Sequence, residues 1–65
     1  MPLKLEPNLA RPDEIYAALV SLHDGLEADA SARLNFRLLL TLMNHIGDEG
    51  VIRKAMAVAV AAGER

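Results

Sequence analysis

LNFRLLLTLMNHIGDEG, residues 34–50, is the stretch whose reading decides the fold. On a helical wheel of about 100° per residue, Leu39, Leu42, Met43 and Ile46 fall on one side, with Phe36 and Leu38 at the margins. Arg33, Arg37, Thr41 and Asn44 lie opposite, and Leu40 widens the apolar arc to roughly half the circumference. An arc that broad meets more than one neighbour, so this is the central helix of an all-helical protein. The helix is expected to close at Gly47, placed as a left-handed C′ residue, and Asp48 is placed to cap the helix that follows.

Working outward, 65 residues make one domain at most. A chain this short buries only about 60 % of the surface its unfolded form exposes, so a lone core is marginal. There is no cysteine for a disulfide, and two histidines cannot make a four-ligand structural zinc site unaided. Oligomerisation is the remaining supplement. The composition is 52 % hydrophobic with one Tyr and one Phe, the rest of the surplus being Leu, Ala, Val and Ile, as suits helix packing. A net charge of −2 provides no basic stripe for phosphates, so nucleic acid is not an expected partner. No run reaches the roughly 18 apolar residues of a membrane span. MPLKLEPNLARPDE, with one lysine and no apolar stretch, does not read as a secretory signal, and the expected compartment is the cytoplasm.

Residues 1–11 carry Pro2, Pro7 and Asn8 ahead of Pro12, a density that predicts an extended arm. The alternation of Leu3 and Leu5 suits an arm laid against the rest of the protein; a frayed end is the alternative. Residues 12–65 form the single three-helix domain. Pro12, Asp13 and Glu14 start a helix over 12–25, with Ile15, Leu19, Leu22 and Leu26 as a narrow apolar seam and Gly25 marking its end. The second helix, 28–46, has Asp29 or Ser31 as its N-cap. The third, 49–62, carries Ala55, Ala59 and Ala62 at the centre of its apolar side, beside Ile52 and Met56. Short turns predict antiparallel neighbours.

Two short companions leave part of the central arc uncovered, and an uncovered apolar arc is an interface. Leu39, Leu42, Met43, Ile46, Ile52 and Met56 are the expected contact residues of a helical-bundle homodimer. The function this implies is a non-catalytic interaction module, a self-associating accessory subunit with room for an unidentified protein partner. Asn35 falls on the apolar arc, where an unpaired buried amide costs about 1–3 kcal/mol. It is expected to make an interhelical hydrogen bond or a symmetry-related pair, with ligand recognition as the alternative. His23 and His45 are expected as buried polar neighbours. Together with Asn35 and Asp48 they define the rival reading, a small ligand or metal sensor. No HxxxH or ExxH pair places two ligands on one helix, so neither metal nor cofactor is expected. Ser21 and Ser31 lack a GxSxG context and no glycine-rich loop follows a strand, so no enzyme is expected.

Several segments carry a resemblance. Glu6, Pro7 and Asn8 match an EPN arm, and Leu22, His23, Gly25 and Leu26 match an LHxGL helix end. Leu34, Asn35, Arg37, Asn44, His45, Ile46, Gly47 and Asp48 match an LNxRLxLxLxNHIGD segment. The chain thereby resembles a family of short helical proteins, mainly proteobacterial, known as a domain of unknown function. The resemblance covers most of the chain up to Met56 and implies no activity. It also implies relatives near genes for flavin-dependent hydroxylation and degradation of aromatic compounds, to which the protein would be an accessory.

Overall fold

The structure, a computed structural model, describes residues 2–63. Residues 2–11 carry neither helix nor strand and lead into α1 (Pro12–Leu22), α2 (Ala28–Ile46) and α3 (Glu49–Gly63), and the described residues contain no strand.

Proline opens α1 because its missing N–H would be unpaired there in any case, and Asp13 and Glu14 follow as acids at the positive end of the dipole. The helix stops at Leu22 rather than at 25. The N–H groups of His23 and Asp24 bond back to Val20 and Ser21, a tightening that ends the α-helical pattern before the left-handed Gly25 (φ 76°) is reached. The second helix begins earlier than its expected caps. Glu27 is extended, its carbonyl accepts from the Ser31 N–H at 2.9 Å, and its side chain makes no cap bond. Asp29 therefore lies inside the first turn, where it complements the dipole, and Ser31 lies deeper still.

The α2–α3 connection is built as expected. Gly47 is left-handed (φ 71°) and its N–H returns to the Met43 carbonyl at 2.9 Å. Asp48 Oδ1 then accepts the Val51 N–H at 3.1 Å and so satisfies one orphan donor of α3. On the exposed side, Arg53 bonds Glu49 at 2.9 Å one turn apart.

Packing between these helices is sparse. No Cα of α1 lies within 8 Å of a Cα of α2 or α3, so the expected antiparallel packing of α1 on α2 is absent. Packed helix axes lie 8–10 Å apart, which would bring facing Cα atoms well inside that distance. α2 and α3 meet over a small area, and Val51, 8 % exposed, is the one buried residue among those described. The inward flank of α2 is Ala30, Leu34 and Leu38, at spacings of four, and the inward side of α3 is Val51, Ile52 and Ala55. Ala59 and Ala62, expected at the centre of that side, are exposed. Leu3 is half-buried, and with Pro2 and Leu5 it borders an open groove of about 790 Å³ beside Val51, Ala57 and Val58 of α3.

Candidate interaction surface

The chain exposes 5838 Å², whereas a compact monomer of 7.0 kDa exposes about 4,000 Å². The radius of gyration is 13.4 Å against about 11 Å for a compact domain of this length. Large apolar side chains on α1 and α2 are part of that exposed area. Along α2, Phe36, Leu39, Leu40, Leu42 and Ile46 face outward, Leu39 at 55 % exposure. On α1, the seam of Ile15, Leu19 and Leu22 is exposed, as is Leu26 just beyond it, and no residue of that helix is buried.

The wheel explains how one helix can be both packed and bare. Leu34 and Leu38 turn one flank of the apolar arc inward, and Leu42, Ile46, Leu39 and Phe36 continue it around the helix, where each stays exposed. Of the six expected contact residues, Met43, Ile52 and Met56 come together along a shallow groove of about 410 Å³ at the α2–α3 turn. Leu39, Leu42 and Ile46 stand apart from that groove on the open flank.

The polar residues sort differently. His23 is half-buried at the end of α1; its Nδ1 lies 2.9 Å from the Leu19 carbonyl and its Nε2 lies 2.8 Å from Asn35 Oδ1. The first contact satisfies a carbonyl left over at the helix end. The second is a side-chain clasp between α1 and α2. A neutral ring that donates from Nδ1 accepts at Nε2 and takes its bond from the Asn35 amide nitrogen, whereas an imidazolium donates at both positions, the second to Oδ1.

Asn35 and His45 are exposed in the single chain, contrary to the burial expected for them. The apolar arc on which Asn35 lies is itself bare, so facing the arc does not bury the amide. His45 sits in the last turn of α2, beside the negative end of the dipole. Among the described residues, no three His, Asp or Glu side chains converge as a metal centre would require. Asp48 is half-buried and engaged at the α3 cap. The Val51 N–H bonded to its carboxylate holds it below its ordinary ionisation range, against the opposing pull of partial burial.

Fold and surface together define a small all-α chain of three helices with most of its large apolar side chains turned outward. It belongs to the family described as "Protein of unknown function (DUF2783)", whose profile matches residues 3–61 and so extends past Met56 into the Ala- and Val-rich end of α3. No curated protein and no solved structure matches the chain. No helix among the described residues is long and apolar enough to cross a membrane.

Proposed function

We propose that this protein is a non-catalytic helical interaction module, an accessory subunit that completes its fold by associating with a copy of itself. The supporting observation is the surface excess. About 1,800 Å² more area is exposed than a compact chain of this mass would show. That surface includes Leu39, Leu42 and Ile46 of α2 and Ile15 and Leu22 of α1, and at about 25 cal/mol per Å² exposed apolar area is costly to leave in water when a partner can cover it. Doubled across a two-fold axis, the excess sets an upper bound of about 3,600 Å² on the area a dimer could bury, which reaches into the range of obligate homodimers.

Sedimentation equilibrium at micromolar concentration tests the proposal. The expected result is a dimer or larger species that does not dissociate on moderate dilution. A compact monomer, with a hydrodynamic radius matching its 7.0 kDa mass, would overturn it.

A further inference from the structure

The self-association proposed above leaves open which surfaces meet, and on that reading we infer that α1 of each copy docks along the open flank of α2 in the other. Three observations converge. First, α1 has eleven residues, a length at which an isolated helix is marginal in water, yet its own chain gives it no helix to pack against. Its cover comes from outside the chain. Second, the helix is held rather than loose. His23 is fastened to Leu19 on one side and to Asn35 on the other, so the ring fixes the end of α1 against one point of α2, and from that point the two helices part.

Third, the two bare surfaces leave from the same vertex. Asn35, Leu39, Leu42 and Ile46 follow at spacings of four, three and four, so the open flank of α2 begins where the clasp sits. The seam of Ile15, Leu19 and Leu22 runs away from that clasp on α1. Both apolar faces leave from the same polar clasp, and no Cα of α1 lies within 8 Å of a Cα of α2, so each face is open to a helix from outside the chain. A second copy supplies a matching helix, and a two-fold axis makes the exchange reciprocal, with each α1 covering the other's α2 flank. Arg33 and Arg37 lie away from the apolar flank, leaving an apolar match rather than a charge match as the basis of recognition.

Isotope-filtered NOE spectroscopy on the unaltered chain, with carbon-13-labelled and unlabelled copies mixed and reassociated, tests the exchange, and sedimentation on the same sample reports its mass. The expected result is a dimer in which methyl groups of Ile15 or Leu19 on one copy show cross-peaks to Leu39, Leu42 or Ile46 on the other. A dimer whose only intermolecular cross-peaks join α2 to α2 or to α3 would overturn the exchange and leave self-association standing. A monomer would overturn both.

Discussion

The two turns of this molecule carry a left-handed glycine each and do opposite things. At the α2–α3 turn, Gly47 reverses the chain, Asp48 caps the next helix within a few residues, and Val51 is buried beside it. At the α1–α2 turn, Gly25 also reverses the chain, but no side chain caps α2, no residue is buried, and the helices are joined by a half-exposed His23–Asn35 bond. One end is finished by contacts the chain makes with itself. The other is built to a defined geometry and left open, as expected of a surface that another chain completes. The difference teaches that a helical hairpin need not be a packed unit: backbone chemistry sets the reversal, and packing is a separate matter decided by where the apolar arc finds cover.

The largest expected effect lies at the open end. Leu19→Asp places a carboxylate in the α1 seam, at a side chain 37 % exposed in the free chain and with no other helix packed on it. If that seam is interface, the charge is desolvated twice over in a two-fold dimer, and dissociation should increase at least about a hundredfold by sedimentation. Circular dichroism at low concentration separates this from a loss of helix. Unchanged association would mean that α1 is a spectator and would remove the contrast drawn between the two ends.

How much of this was legible beforehand follows the range of the interactions involved. The Gly47–Asp48 turn depends on residues within four positions of one another, and backbone conformation and cap chemistry at that range can be read from residue types alone. The breadth of the α2 arc was legible for the same reason. Which part of the arc is covered was not, because the inward turn of Leu34 and Leu38 is set by the placement of segments far away in sequence. Val51 sits beside a run of alanines whose helical spacing points to a different centre of the helix's inward side. The partner of Asn35 was equally out of reach. His23 lies twelve residues away, and their pairing depends on the angle between two helices with no Cα pair within 8 Å. The end of α1 was misplaced because Gly25 reads as a stop signal, whereas the helix tightens and ends before it.

A pair of glycine substitutions sharpens the comparison at the backbone level. Neither site is crowded: a Cβ on Gly47 would meet only the Asn44 carbonyl at 3.8 Å, and one on Gly25 would meet nothing within 4 Å. The penalty is therefore conformational, roughly 1–2 kcal/mol for a residue with a β-carbon at positive φ and larger when it is β-branched. Gly47→Val should lower Tm by roughly 8–16 °C, because it disturbs the turn that carries the only buried residue described. Gly25→Ala should lower Tm by less, roughly 4–8 °C, and weaken association more than its stability loss explains, because it alters how α1 is presented. Thermal melting by circular dichroism with parallel sedimentation reads both. Equal ratios of the two effects at both turns would show that the ends are not different in kind.

Asp48 supplies a smaller effect with a pH signature. Its folded-state ionisation is depressed by the Val51 N–H, so the stabilisation it gives is fully present above the ordinary carboxylate value of about 4 and is lost as pH falls through the lower folded value. Asp48→Ala should lower Tm near neutrality by roughly 4–8 °C, and by less in acid, where the native carboxylate is being protonated as well. Asp48→Asn keeps the acceptor oxygen, and asparagine caps as well as aspartate, so its Tm near neutrality should stay close to that of the native chain while the acid dependence flattens. A large neutral-pH loss in Asp48→Asn would show that the charge itself, rather than the cap, does the work.

The smallest effect belongs to the clasp, and it tests whether the open end is held in place. An exposed hydrogen bond contributes about 0.5 kcal/mol or a little more, so Asn35→Ala should shift Tm by only about 2–4 °C. Amide exchange in α1 should nevertheless quicken more than in α3, since the variant frees a polar tie between the end of α1 and α2 while leaving the capped turn untouched. Asn35→Asp is more telling. With Nδ1 committed to the Leu19 carbonyl, a neutral ring presents a lone pair at Nε2, and a carboxylate has no proton to offer it. The aspartate can pair only with the imidazolium, so a neutral ring loses the clasp in this variant, and its Tm should fall by about as much as that of Asn35→Ala. If Asn35→Asp melts as the native chain does, the clasp does not carry α1, and the helix is oriented by something other than the bond between His23 and Asn35.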